Sequence, residues 1–350
     1  MLPNFERFVQ AQRKLYDSSH KQPHELKPYG YQILKAGLDP SRNYLNPDFM
    51  SLPLNDCEYL SRLTPEQISV LSAHFFAQLY THVMNGEIDV IHHNSKAADL
   101  LFSRGSDEWT VLLQESSEEH DHIITFRSLI LGLLGNVGVP PVGAGRYGPL
   151  FRWLTSYLAA EQHNLTANAY GALTLSVRFL ANLELKRQEL YLHADAPEGT
   201  VHAAAVAITD GHRTDESRHT ATSWEYGTGF FQGCNDADRR LIRGLLAGRL
   251  GEMLNRHFSD RAQNEINGNA KCAIYCLDKA LQHKAFADFP VTVDQLRESW
   301  RSRSIGCYYS ESYSKSIKWF AKQWLRFVDE FEIRPDTPDS SWNRFRQLAS

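Results

Sequence analysis

The segment His212-Arg213-Thr214-Asp215-Glu216-Ser217-Arg218-His219 decides how the chain reads. Taken as helix, it places His212, Glu216 and His219 at i, i+4 and i+7, so the three side chains leave one face. That face continues through Val201, Ala205 and Ile208 on one side and Ser223 and Tyr226 on the other. It is mostly apolar or small, and such a face points into a core. Two imidazoles and a carboxylate buried there are costly unless compensated, and a metal ion compensates them directly. The competing reading is a surface helix with solvated charges, and a second, matching set of residues is what separates the two.

That set lies upstream. Glu119-His120-Asp121-His122 is a Glu-x-x-His within a predicted helix over 107–134, whose inward stripe reads Leu112, Glu115, Glu119, His122, Ile123, Phe126 and Ile130. A helix predicted over 65–102 precedes it, opened by Thr64-Pro65-Glu66-Gln67 with Thr at the cap, Pro at the first helical position and Gln three residues on. Its inner face carries Ala73, Phe76, Tyr80, Val83, Glu87, Ile91 and Ala98. Four-helix bundles that hold two metals take one Glu from each of two helices and a Glu-x-x-His from each of the other two. Several anionic oxygens offset the charge of two iron ions, and the imidazoles leave positions open for dioxygen.

The recipe requires one more Glu on each remaining helix. Glu87 precedes Glu119 by the same spacing as Glu184 precedes Glu216, as a pseudo-symmetric pair of helical hairpins requires. The competitors are His92 and Glu189. Glu87 sits among Tyr80, Val83, Met84 and Ile91, whereas His92 shares its face with Asn85, Ser95 and Asp99. Glu184 neighbours Val177, Leu180, Ala181 and Tyr191, whereas Glu189 shares its face with Asn182 and Lys186. Glu87 and Glu184 are preferred on that ground, with Glu189 kept as the alternative because one helix irregularity rotates the register.

Composition agrees with this frame. The 350 residues are 42% hydrophobic with a net charge of −4, enough chain for one large core or two ordinary ones. The near-neutral balance makes no electrostatic case for nucleic acid. There is no leader-like N-terminus and no apolar run long enough to span a bilayer. The cysteines Cys57, Cys234, Cys272, Cys276 and Cys307 are odd in number and lack a framework spacing, so reduced thiols and a cytoplasmic location are expected. Gly132-x-x-Gly135-x-x-Gly138 lacks the Lys of a phosphate cradle and follows no strand, so it reads as a helix connection.

The expected fold is all-α, without period-two alternation or a solenoid repeat. Residues 1–64 form an arm or cap that starts with a helix from Phe5 to Tyr16 and continues irregularly to Pro53. Residues 65–235 form the metal-binding four-helix bundle, with a third helical region over 150–193, open to a break near Asn164, and a fourth over 201–231. Residues 236–350 form a C-terminal helical extension packed on the bundle, with helices predicted over 236–257, 261–284, 292–301 and 311–330 and then a Pro- and Ser-containing tail.

His-x-x-Asp-Glu-x-Arg-His, from His212 to His219, resembles the last metal-binding helix of the p-aminobenzoate N-oxygenase family. Thr200-Val201-His202 is similar to the approach to that helix, and Glu118-Glu119-x-x-His122 is similar to the family's Asp-Glu-x-x-His, with Glu in place of Asp. The resemblance covers roughly residues 65–235. It implies a ferritin-like di-iron fold and, as iron ligands, Glu87, Glu119, His122, Glu184, His212, Glu216 and His219, with His212 the family's extra histidine. Glu118 and Asp215 are implied as residues that orient those ligands.

The activity implied is use of dioxygen at two iron ions, through a peroxo-di-iron(III) species, to convert an amine to hydroxylamine, nitroso or nitro product in natural-product biosynthesis. The amine is a small molecule or a carrier-tethered one, either an arylamine or amino-acid-derived. An external reductase or ferredoxin supplies electrons, because the chain has no flavin or iron–sulfur motif, and a homodimer is expected from the resemblance alone. Arg146, Tyr147, Arg152, Arg178 and Arg187 are candidate contacts for a carboxylate or phosphate arm, and the sequence does not rank them. Three alternatives are a di-iron C–H hydroxylase, desaturase or aldehyde-type oxidase of the same fold, a ferritin-like iron-storage or detoxifying protein, and a non-catalytic helical binding protein.

Overall fold

The computed structural model describes residues 9–10, 26–50, 52, 54, 57–135, 156–158, 160–161, 164–258, 268–301, 311–335 and 339–350. The described residues contain no strand; a single isolated bridge joins Asn43 to Val201. Ten α-helices are described among them. These are α1 (Lys27–Ala36), α2 (Pro65–Leu101), α3 (Asp107–Leu134), α4 (Ala167–Leu192), α5 (Ala203–Gln232), α6 (Asp236–Phe258), α7 (Gly268–Ala280), α8 (Val293–Arg301), α9 (Glu311–Glu330) and α10 (Asp339–Ala349).

Local chemistry sets the ends of the four long helices α2 to α5. Gln67 N donates to Thr64 Oγ1 at 3.3 Å while Thr64 N donates to Gln67 Oε1 at 2.9 Å, a reciprocal box that satisfies donors the first turn leaves unpaired. Ser106 caps α3 through Trp109 N, and Thr166 caps α4 through Ala169 N. Short turns join α2 to α3 and α4 to α5, and each pair packs along its length as an antiparallel hairpin. The hairpins meet through α2 against α4 and α3 against α5.

The region expected over 150–193 is helical at its described residues 156–158 and 160–161 and again from Ala167, and the expected break near Asn164 falls at residues 164–166. Val201 belongs to the bridge and not to α5. Of the N-terminal helix expected from Phe5 to Tyr16, only residues 9–10 are described.

Two helices were not legible in the sequence. The stretch expected to be irregular before Pro53 contains α1, which crosses α3 at two glycines. A Cβ on Gly132 would stand 2.5 Å from Ile33 O, and one on Gly30 would stand 2.9 Å from Thr125 O. Gly132 therefore serves backbone approach, and Gly135 ends α3 with φ +65°. Gly138 lies outside the described residues. The expected C-terminal tail contains α10, which buries Phe345 and Ala349 against α6 and α9.

The apolar interior is divided. One cluster gathers Phe76, Tyr80 and Val83 of α2, Phe126, Leu129 and Ile130 of α3, Leu185 and Leu192 of α4, and Ala205 and Ile208 of α5. A small one, near the α2–α3 turn, gathers Ala97, Ala98, Leu112, Leu175 and Tyr226. Between these two, all four helices present polar side chains inwards. A third cluster packs the outer face of α4 (Val177, Phe179, Leu180, Ala181) against α6, α9 and α10. Helix α4 is thus buried on two sides.

The arm before α2 is tied to the α4–α5 turn. Asn46 N donates to Leu192 O at 2.9 Å, His202 N donates to Asn43 O at 2.7 Å, and the Tyr44 ring stacks on His202. No described helix is long and apolar enough to cross a membrane. Cys57, Cys234, Cys272 and Cys276 are free thiols, and Cys307 lies outside the described residues.

Candidate metal centre

The polar section of the interior holds two overlapping groups of ligand atoms. Glu87, His122, His212 and Glu216 present atoms that all lie within 4.8 Å of one another, and so do Glu119, Glu216 and His219. Glu216 belongs to both. Every one of these residues is at most 1% exposed. Helix α2 contributes Glu87, α3 Glu119 and His122, and α5 His212, Glu216 and His219.

The contacts show which nitrogen of each histidine faces the cluster. His219 Nδ1 lies 3.0 Å from Glu119 Oε1 and 2.9 Å from Glu216 Oε1. His122 Nδ1 lies 2.9 Å from Glu119 Oε2. His212 Nε2 lies 3.2 Å from Glu87 Oε1 and 3.8 Å from Glu216 Oε1. Each histidine's other nitrogen meets a different carboxylate: His219 Nε2 and Glu118 Oε2 at 2.8 Å, His122 Nε2 and Asp215 Oδ2 at 3.3 Å, His212 Nδ1 and Glu189 Oε1 at 2.7 Å. A carboxylate on the far nitrogen fixes ring orientation and tautomer and raises the basicity of the near one. Arg218 Nη2 binds Glu118 Oε1 and Asp215 Oδ1, both at 2.8 Å, and so locks two of the three carboxylates together.

Glu184 does not join this cluster. Its side chain is 43% exposed and pairs with Arg187 on the same helix. Glu189 takes the interior place, 2% exposed, accepting from Tyr80 Oη at 2.8 Å as well as facing His212. The register set by the Glu189–His212 and His193–Thr209 contacts puts Leu185, not Glu184, level with Glu216 on the inner face. The equal spacing of the two Glu pairs locates the right height on the hairpin but the wrong side of α4. The apolar neighbours that favoured Glu184, Val177, Leu180 and Ala181, pack on the C-terminal helices. His92 is exposed. Arg187 is buried but donates to Glu184 and to Ser316 of α9, away from the cluster. Arg146, Tyr147 and Arg152 lie outside the described residues.

Without a cation, protons compensate the buried charge. Burial, reinforced by the neighbouring Glu119 and Glu216, pushes the Glu87 carboxyl up to about 8. Glu119 is held well below the usual range, because His219 and His122 outweigh burial. His122 is lifted to about 9 by Asp215 and Glu119 against burial and the adjacent His212. His212 and His219 are likewise raised well above the ordinary imidazole range, against burial, chiefly by Glu189 for His212 and by Glu119 and Glu216 for His219. Glu189 keeps Oε2 without a partner among the described residues. Three carboxylates facing three imidazoles, sharing protons in the buried interior, are the donor set that hard-to-intermediate divalent ions take. The cluster could hold a metal ion, and the residues fit one.

A scan against protein-family models, a search of curated proteins and a search of solved structures each return no match to this chain.

Proposed function

We propose that this protein is a ferritin-like non-haem di-iron oxygenase that N-oxygenates an amine, yielding hydroxylamine and further-oxidised products. The observation that carries the reading is the pair of overlapping Glu/His groups sharing Glu216, buried between helices α2, α3 and α5. Iron bound there would supply the reductive activation of dioxygen. The N-oxygenase assignment rests on the resemblance of the His212–His219 segment, whose His212, Glu216 and His219 all face the cluster.

The chain's own residues would do the following. Glu87, His122, His212 and Glu216 would hold one metal, and Glu119, Glu216 and His219 the other. Glu189, Asp215 and Glu118 would orient the three imidazoles, and Tyr80 would fix Glu189. Phe126 and Tyr80, with ring centroids 4.9 and 6.3 Å from that of His212, close one side of the cluster to water. The overall first oxidation consumes one amine, one dioxygen, two electrons and two protons, and gives one hydroxylamine and one water. The two electrons come from an external donor of the reductase or ferredoxin kind.

The test is turnover by iron-loaded protein with a chemical reductant and isotopically labelled dioxygen, over a panel of arylamines and aliphatic amines. The reading predicts a nitrogen-bound label in at least one product. Label appearing only on carbon would overturn N-oxygenation in favour of the C–H hydroxylase. Failure of the protein to consume dioxygen with any substrate while holding iron would remove the oxygenase.

A further inference from the structure

Helix α7 carries two cysteines, Cys272 and Cys276, one helical turn apart on the same face. Both are free thiols. The Cys272 thiol hydrogen-bonds with that of Cys276, and Cys276 Sγ donates to His74 O of α2 at 3.8 Å. Cys276 is 1% exposed, and its helical neighbours Ala273, Leu277 and Ala280 belong to the apolar core. Cys272 is half-buried and gives the pair a way to solvent. His74 precedes Glu87 on α2 by a rise of about 20 Å, so the pair stands apart from the carboxylate–histidine cluster.

Two thiols in contact can form a disulfide, act as a nucleophile or bind a metal. A disulfide needs Cβ atoms about 3.5–4.5 Å apart, whereas positions i and i+4 of a helix hold them at about 5–6 Å. Closing one would have to bend α7. A reactive thiolate needs a neighbour that lowers its pKa, and burial instead drives the Cys276 thiol well above its ordinary value. A metal ion supplies the missing stabilisation, since a coordinating thiol is deprotonated outright. Sulfurs on opposite sides of one ion stand roughly 4.6 Å apart, twice a metal–sulfur bond, and side chains at this helical spacing span that without moving the backbone. Zinc takes four ligands, and among the described residues no third His, Cys, Asp or Glu atom groups with these two sulfurs. Two thiolates alone suit a soft monovalent ion, and copper(I) is the biological one.

We propose that Cys272 and Cys276 bind one copper(I) ion as a two-coordinate bis-thiolate site. The ion displaces both thiol protons: Cu+ and two S–H give an S–Cu–S unit of charge −1 and two H+, with no electron transferred. Lys279, on the next turn of α7, brings a positive charge to that face, and its charge reaches His74 opposite. Tyr275 lies close enough to both sulfurs to feel their charge, and its Oη, without a hydrogen-bond partner among the described residues, offers a donor. Softness separates the two sites, because the carboxylate-rich cluster favours harder divalent ions and the thiol pair a soft monovalent one. The inference is independent of the oxygenase reading.

The test uses the full chain, reduced and anaerobic, with copper(I) presented as its bicinchoninate complex to iron-loaded and iron-free protein side by side. Wild type should take one copper per chain from the chelator in both forms, and X-ray absorption should show two sulfur neighbours. Cys272→Ser, at the half-buried position, should lose the ion while keeping the thermal midpoint of the metal-free protein. Cys276→Ala should lose it as well; if that buried change unfolds the chain, Cys272→Ser carries the test. Cys57→Ala and Cys234→Ala should keep the ion. No copper taken from the chelator, copper retained by Cys272→Ser, or nitrogen or oxygen neighbours around the bound ion overturns the site. Zinc(II) held as firmly as copper(I), and lost with Cys272, overturns the two-coordinate assignment.

Discussion

Exchanging the two candidate glutamates of α4 for glutamine separates the roles that spacing and packing assign to them. Glu189 Oε1 faces the His212 Nδ1–H at 2.7 Å and accepts from Tyr80 Oη at 2.8 Å, in a site without water access. Glu189→Gln keeps the shape but removes the charge. A hydrogen bond to an ionised acceptor is about twice as strong as a neutral one, and losing an orienting partner of a ligand histidine typically lowers metal affinity about 10- to 100-fold. Glu184, half in solvent, pairs with the buried Arg187 and not with the cluster, so replacing it should lower folding stability by weakening the partner of a buried guanidinium while leaving metal affinity unchanged. Competition between the protein and a chelating dye for cobalt(II), followed by the visible spectrum of the bound ion, measures both variants on one scale. A Glu184→Gln protein that lost affinity, beside a Glu189→Gln protein that did not, would refute the packing argument and restore the symmetric ligand set.

Four further outcomes follow from the same structure. Gly132→Ala should destabilise the fold by about 1–2 kcal/mol in chemical denaturation, since overpacking against the Ile33 carbonyl outweighs the gain in helix propensity; Gly248→Ala on exposed α6, where nothing lies within 4 Å of a new Cβ, should stabilise by about 0.5–1 kcal/mol. His74 and His93 are held near a pKa of about 4, mainly by burial, so the unfolded chain takes up their protons first as pH falls. Stability should therefore drop between about pH 6.5 and 4 and recover above it, and His74→Phe should flatten that slope in urea titrations. Because Glu87 titrates near about 8 and His122 near about 9 in the metal-free protein, metal uptake at neutral pH should release more than one proton and tighten as pH rises. A pH indicator in weakly buffered solution reads that release, and uptake without acidification would contradict it.

Most of the cluster was legible because its residues sit on amphipathic helices. The stripe from Leu112 to Ile130 on α3 and that from Ala205 to Tyr226 on α5 follow the helical period, so face and ligand are read together. Helix α4 breaks that logic. It is buried toward the bundle and toward α6 and α9 at once, and its apolar side faces the extension while its polar side, Arg178, Asn182 and Glu189, faces the cluster. Choosing the Glu with apolar neighbours therefore selects the wrong side. The pattern that exposes this is the polar stripe itself, since Arg178, Asn182, Leu185 and Glu189 recur at helical spacing in a helix with few exposed positions. Helix α1 was hidden because its contact with α3 is made by backbone and glycine, which carry no hydrophobic signal. Helix α10 was hidden by Pro335 and Pro338 before it, although Trp342, Phe345 and Ala349 mark one face.

The orienting residues were partly visible. Glu118 and Asp215 flank ligands in the sequence, but the guanidinium of Arg218 that joins them bridges two helices and leaves no local pattern. Tyr80 sits on the inner stripe of α2 and reads as core; only its hydroxyl contacts with Glu189 and Thr209 show it as part of the polar network.

The measurement that bears most directly on the central claim is iron stoichiometry with Mössbauer spectroscopy on protein expressed in iron-57 medium. The account predicts about two irons per chain, magnetically coupled when oxidised, with Glu216→Ala reducing the count and uncoupling the remainder. One isolated iron, or none after anaerobic reconstitution, would contradict it.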